Sequence, residues 1–288
     1  MCAVVTAGAN GWEHSDLQLS SGRLSTLSYG PAGAPLVICV PGLSQDERSF
    51  EILGSGIAAG RRRVVAVALR GRGRSQTTPP GTYGLPSHAA DLLELATALG
   101  AQRFDVVGWS MGGLVGMQLA VMAPLRLHHL VLVDIAGKPE PSAINVIAAG
   151  IQRLGAIYPS REAYVARVLS LGTVDGCRNA WVDYLSGDLV PVDGGFGSRT
   201  SRQAVIEDAA FNARIDPYAL WKSLTMPVLL LRASVPITPG SGVVVTAEDA
   251  ARFAVEVTQG RVLEIAANHF CIGCAGATVQ AIDEFLEA

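Results

Sequence analysis

"DVVGWSMGGL", residues 105–114, carries a run of apolar residues into Gly-Trp-Ser-Met-Gly-Gly. The apolar run beginning at Phe104 reads as a buried strand, and "GGLVGMQLAVMA" after the serine reads as a helix. Gly108-Trp109-Ser110-Met111-Gly112 fits G-x-S-x-G, a pattern whose chemistry requires that strand–turn–helix setting. Glycines on both sides of the serine remove side chains that would collide with the neighbouring strand and helix. The hydroxyl then projects from the carboxyl edge of the sheet, where open α/β sheets bind ligands. A Gly/Ser helix cap without chemistry is the competing reading.

Working outward, "PLVICVPG" (35–42), "RRVVAVALRG" (62–71), "HLVLVDIAG" (129–137), "PVLLLRAS" (227–234) and "GRVLEIA" (260–266) also read as strands. They are continuous apolar runs, as expected when helices cover both faces of a parallel sheet. "DLQLSSGRLSTLSYG" (16–30) alternates instead and predicts an antiparallel hairpin at one edge. "SHAADLLELATALG" predicts a helix capped by Ser87 and stopped by Gly100, and Thr246 is placed to cap another, with Asp249 three residues on. The alternation predicts a mostly parallel α/β sheet. Residues 138–226 break the rhythm with helical stretches and a glycine-rich turn. They predict a helical lid inserted in a core formed by 1–137 and 227–288.

The chain has 288 residues, 49% hydrophobic and 16% charged, with a formal net charge of −3. Mild acidity without a basic block argues against nucleic acid or an anionic membrane as partner and leaves a small-molecule substrate. No apolar run reaches the ~20 residues of a membrane span, and residues 1–22 do not read as a signal peptide. The five cysteines are odd in number and scattered, which suggests packing residues and a reducing cytoplasm. Cys271-Ile-Gly-Cys274 with His269 lacks a fourth ligand at zinc spacing, so no metal and no cofactor are expected. Oligomeric state is left open.

A serine hydroxyl needs a base. Of His14, His88, His128, His129 and His269, only His269 follows the last strand, in "IAANHF". A loop there can swing back across the carboxyl edge towards Ser110. The others read as surface or packing residues.

These motifs together resemble the α/β-hydrolase superfamily. "CVPGLSQD" is similar to its oxyanion loop, "ALRGRGRS" to its Arg-Gly-x-Gly-x-Ser turn, "GWSMGG" to its nucleophile elbow and "NHF" to its histidine loop. The resemblance covers nearly the whole chain outside the lid. It implies an eight-stranded, mostly parallel sheet with helices on both faces and a helical lid after strand six. Two departures are Val40-Pro41-Gly42 in place of the common His-Gly, and Ala68 in place of an acid before Arg70.

In most members of the family the triad acid follows the penultimate strand. Here that stretch, Leu231 to Thr238, has no carboxylate, and the next acids, Glu248 and Asp249, lie inside a predicted helix. Asp134 ends the strand beside the nucleophile strand and keeps the chain order Ser110, Asp134, His269. It is the favoured acid, with capping of the following turn as its bland alternative. Relatives with the acid after strand six include some dehalogenases, cofactor-free ring-opening dioxygenases and the hydrolase acting on 2-(acetamidomethylene)succinate. The lid stretch "SGDLVPVDGGFGSRTSRQA" looks similar in layout to the last.

The resemblance further implies oxyanion donors at the backbone N–H groups of Leu43 and Met111. Trp109, Arg153, Arg167 and Tyr184 are candidate pocket residues, and lid arginines suit a carboxylate-bearing substrate. The favoured function is serine hydrolysis of an ester, lactone, amide or vinylogous C–C/C–N bond. A cofactor-free dioxygenase or lyase, with Ser110 only hydrogen-bonding the substrate, and a non-catalytic ligand-binding module stay open beside it.

Overall fold

The computed structural model describes residues 6–7, 11–58 and 61–287. Cys2 lies outside them, as do residues 1–5 and 8–10 of the stretch weighed as a signal segment. Eight strands form the expected sheet: β2 (Glu13–Leu19), β3 (Gly22–Tyr29), β4 (Leu36–Val40), β5 (Arg63–Val67), β6 (Phe104–Trp109), β7 (Leu127–Val133), β10 (Val228–Ala233) and β11 (Gly260–Ile265). A two-residue strand, β1 (Thr6–Ala7), extends the hairpin edge as a ninth. The order is β1-β2-β3-β5-β4-β6-β7-β10-β11. β2 and β3 pair antiparallel, β3 meets β5 antiparallel, and the strands from β5 to β11 run parallel.

Both sheet faces are buried, which is why the strands read as unbroken apolar runs. Ile38, Val65, Val106 and Leu132 belong to one core. Their sequence neighbours Val37, Val64, Val107 and Val133 belong to the other. The helices covering the sheet include α1 (Glu51–Ala58), α2 (Leu85–Ala98) and α3 (Met111–Met122). Helix α2 begins two residues before the expected Ser87 cap, because Pro86 suits the first turn of a helix and Gly84 takes the cap position. It ends at Gly100 (φ 79°), as the glycine predicts.

Between β7 and β10 the chain forms α4 (Pro141–Ile151), α5 (Arg161–Leu169), α6 (Arg178–Asp188), the hairpin β8 (Leu189–Val192) and β9 (Gly195–Ser198), and α7 (Arg202–Asn212). The hairpin adds two short strands to the mainly helical segment expected for 138–226. Asp193-Gly194 is a two-residue turn that favours hairpins, but Pro191, Gly195 and Gly197 weaken the strand signal around it. After β10 come α8 (Ala247–Glu256) and α9 (Gly276–Glu287). Thr246 caps α8 as expected, accepting from the Asp249 N–H at 3.0 Å. Among the described residues no helix is long and apolar enough to cross a membrane.

Helix α7 is anchored to the core by a buried charge. Asp208 lies 2.6 Å from the Arg72 guanidinium and 3.0 Å from His88 Nε2, and it accepts the Gly84 N–H at 2.7 Å. Burial by itself would raise the Asp208 pKa. The bond to His88 and the Arg72 charge outweigh it and hold the carboxyl below its ordinary range. The resulting stability is present above pH ~4 and is lost as pH falls through the depressed value. Asp208→Asn leaves the Arg72 charge buried without a counter-ion. We expect it to lower unfolding free energy by about 3 kcal/mol at pH 7, read from urea titration, and by progressively less as pH drops below 4.

Candidate active site

Ser110 occupies the turn between β6 and α3 with φ 54° and ψ −122°, a backbone region that a β-carbon disfavours. Its N–H donates to the Val133 carbonyl at 2.9 Å, and its own carbonyl accepts the Gly113 N–H at 2.8 Å. Two glycines make this turn sterically feasible. A Cβ on Gly108 would sit 2.4 Å from the Gly112 carbonyl oxygen, and one on Gly112 would sit 2.0 Å from the Val40 carbonyl oxygen. The motif is therefore needed for close packing as well as for the turn.

Asp134 follows β7, with φ 52°. Among the described residues Ser110 and Asp134 are the two non-glycine residues with positive φ. Such strained positions concentrate where function fixes a side chain. The Asp134 carboxylate is fully buried and splits its bonds. Oδ1 accepts the Ala233 N–H at the end of β10 at 2.9 Å, and Oδ2 lies 2.8 Å from His269 Nδ1. The slot after β10 thus contributes a backbone donor to the acid in place of a carboxylate. Glu248 and Asp249 occupy the first turn of α8, and neither bonds His269 among the described residues.

With Nδ1 facing Asp134, Nε2 is the His269 nitrogen left to exchange a proton. Ser110 and His269 line one cavity together. Among the described residues no hydrogen bond joins their side chains, as is common where a catalytic contact tightens only around substrate. Gly42 faces the serine, since its Cβ would lie 3.5 Å from Ser110 Cβ. The Gln45 side chain accepts the Gly42 N–H at 3.0 Å, and Arg72 donates to the Leu43 carbonyl at 2.9 Å, fixing the loop. The N–H groups of Leu43 and Met111 make no hydrogen bond among the described residues, and both residues line a second cavity that also contains Ser110.

Comparisons with known proteins bear on the fold. A family profile for the alpha/beta hydrolase fold matches residues 35–156. A structure of E-2-(acetamidomethylene)succinate hydrolase superposes with a TM-score of 0.84 over 96% of this chain and all of that one, at 22% identity. An α/β hydrolase from Novosphingobium aromaticivorans superposes with a TM-score of 0.81 over 97% of this chain and 99% of that one, at 26% identity. This is an α/β-hydrolase-fold protein. A 3-hydroxybutyrate-oligomer hydrolase of Cupriavidus necator is 35% identical over 129 residues, 44% of each chain. The chain spans about half the length of the curated relatives it matches.

In this α/β-hydrolase-fold chain, Arg153 and Tyr184 line the Ser110–His269 cavity. Arg153 is heavily committed to protein, donating to Tyr164 Oη, the Gly150 carbonyl and Ser44. The Tyr184 hydroxyl accepts the Asp46 N–H at 3.1 Å. Two expectations fail. Trp109 is buried away from the cavity, because its ring packs over Gly273, where a Cβ would lie 2.4 Å from it. Its Nε1 donates to the His269 carbonyl at 3.2 Å, so it braces the histidine loop. Arg167 is exposed on α5, lines a separate cavity with Arg153 and Tyr158, and donates to Ser170.

The cysteine reading also needs correction. Cys177 and Cys271 form a disulfide across 94 residues, joining the start of α6 to the loop two residues past His269. Cys271 is therefore no zinc ligand. Cys39 and Cys274 are free, and burial pushes the Cys274 thiol up to about 11. Asn268, next to the histidine in "NHF", holds this loop. Its amide donates to the Thr173 and Ile237 carbonyls, and its Oδ1 accepts from the N–H groups of Phe270 and Cys271. One described group, Asp105, His128 and His129, has metal-ligand spacing. It lies at the amino ends of β6 and β7, and Asp105 already pairs with Arg62 and His129.

Proposed function

We propose that the protein is a serine hydrolase with Ser110 as nucleophile, His269 as general base and acid, and Asp134 as the orienting carboxylate. The observation that carries this is the pair of positive-φ residues, Ser110 and Asp134, set at one sheet edge with Asp134 bonded to His269 Nδ1. His269 takes the Ser110 proton as Oγ attacks the scissile carbonyl carbon. The Asp134 charge stabilises the imidazolium that results. The unpaired N–H groups of Leu43 and Met111 donate to the developing oxyanion, an interaction whose loss costs ~10²–10³-fold in rate in comparable sites. The tetrahedral adduct collapses, His269 protonates the leaving group, and water activated by His269 then releases the acid. This chemistry needs no metal and no cofactor.

Residues 138–226 act as the lid over a core made of 1–137 and 227–288. The substrate is a small molecule with an ester or related acyl bond, and nucleic acid and membranes are not partners. A small alkyl fluorophosphonate tests the reading. It should add one phosphonyl group per chain, mapped to Ser110 by peptide mass spectrometry, and heat-unfolded protein should stay unlabelled. A folded protein that remains unlabelled would move the assignment to base chemistry by His269–Asp134 alone, the dioxygenase or lyase reading.

A further inference from the structure

Resting on the serine-hydrolase reading, we infer that the substrate is an ester of a medium-chain aliphatic acid with a small alcohol. Its acyl chain would run under α4 and α7, and its alcohol would lie beside His269. Two cavities meet at Ser110, and Leu43 and Ile147 line both. His269 lines one of them only, and Met111 lines the other only. Chemistry then assigns the contents. In the tetrahedral adduct the former carbonyl carbon holds Ser110 Oγ, the oxyanion, the leaving oxygen and the acyl carbon chain. The leaving oxygen must face His269, which gives it a proton as its bond to carbon breaks. The oxyanion sits between the Leu43 and Met111 amides. The acyl chain takes the remaining direction, away from His269.

The lining of the two cavities fits that division. The acyl side is walled by Leu114, Ile135, Ile144, Ile151, Ala209 and Ile215, and its polar side chains other than Ser110 are Lys138, which is exposed, and Asn212. It holds about 240 Å³, against about 70 Å³ on the leaving-group side. The larger, apolar chamber suits the longer apolar part of the ester, a medium-length acyl chain, and the smaller one suits a short alcohol. The leaving-group side is also lined by polar side chains, Ser44, Gln45, Arg153, Thr173 and Tyr184.

Helix α4 is the partition. Ile144, Ala148 and Ile151, spaced i, i+4 and i+7, face the acyl side. Val146 and Gly150, also four apart, face the leaving-group side, with Ile147 between. A bulky substitution on one face of α4 therefore fills one chamber and spares the other.

Methyl esters of straight-chain acids from acetate to decanoate, followed by pH-stat titration, test the inference. For the wild type, kcat/KM should rise ~100-fold or more from acetate to hexanoate or octanoate, then fall at decanoate. Ala148→Trp should cut the octanoate-to-acetate ratio by at least ~10-fold, and Ile144→Trp, at a position 47% exposed and so tolerant of bulk, should do the same. Leu171→Trp, on the leaving-group side, should leave that ratio in place and lower the rate of propyl relative to methyl hexanoate. A flat chain-length profile, or an acyl preference that follows Leu171→Trp and ignores both α4 variants, overturns the inference while fluorophosphonate labelling of Ser110 still upholds the hydrolase. Absence of both labelling and turnover removes the hydrolase reading and this inference with it.

Discussion

Ser110→Ala is expected to lower kcat by about 10⁶-fold on any ester the wild type cleaves, with KM nearly unchanged. The size follows from what the alanine removes. Without Oγ no acyl-enzyme forms, and His269 and Asp134 have no partner to activate, so losing the serine alone approaches the cost of losing the whole triad. The loss of the hydroxyl should not disturb the fold, because the Ser110 backbone bonds to Val133 and Gly113, and these are independent of the side chain. Near-ultraviolet circular dichroism and thermal unfolding should therefore match the wild type. A loss of only 10- to 100-fold would contradict the nucleophile assignment, since a group that merely hydrogen-bonds the substrate contributes roughly 2–3 kcal/mol. That outcome would favour proton abstraction by His269–Asp134, and oxygen uptake during turnover would then identify the dioxygenase variant of it.

Features set by local chain geometry could be read from the sequence. The strand–turn–helix around Ser110 is one, because the close approach at Gly108 is to Gly112, four residues on. The loop carrying His269 is another, because it follows directly from β11. Asp134 was legible by a different route, as the carboxylate ending the neighbouring strand when the stretch from Leu231 to Thr238 offers none. Features set by distant contacts were not legible. The Cys177–Cys271 pairing spans 94 residues, and scattered cysteines do not encode their partners. Trp109 is apolar and adjacent to Ser110, which suits a pocket wall and a core brace equally; its contact with Gly273 decides for the brace. The hold on the loop after Gly42 runs from Asp208 on α7 through Arg72 to the Leu43 carbonyl, and "ALRGRGRS" by itself does not say what Arg72 reaches.

That brace and the histidine loop share a design. Arg72 ties the oxyanion loop to α7, while Asn268, Trp181 and the disulfide tie the His269 loop to the segment around α6. Both chemical loops are thus fastened to residues 138–226. Substitutions that loosen this segment are expected to act on catalysis through loop position, lowering kcat as well as raising KM.

Asp134→Asn should reduce kcat by about 10⁴-fold, whereas Glu248→Gln should leave it within a factor of two. The asparagine is nearly isosteric and its carbonyl oxygen can still accept the Ala233 N–H, as Asp134 Oδ1 does at 2.9 Å. Its amide nitrogen then takes the place of Oδ2 opposite His269 Nδ1, where the carboxylate accepts at 2.8 Å. An amide donor there requires Nδ1 to be the acceptor, which puts the ring proton on Nε2. That tautomer cannot take the proton from Ser110, and the imidazolium also loses its buried counter-charge. The effect should therefore appear in kcat and in the rate of fluorophosphonate labelling together, since both need an activated Oγ. Glu248 is exposed in the first turn of α8, without a bond to His269 among the described residues, and lacks a route to the same consequence. If Asp134→Asn kept turnover within tenfold of wild type and Glu248→Gln abolished it, the acid would lie on α8 and the strained φ of Asp134 would need another cause.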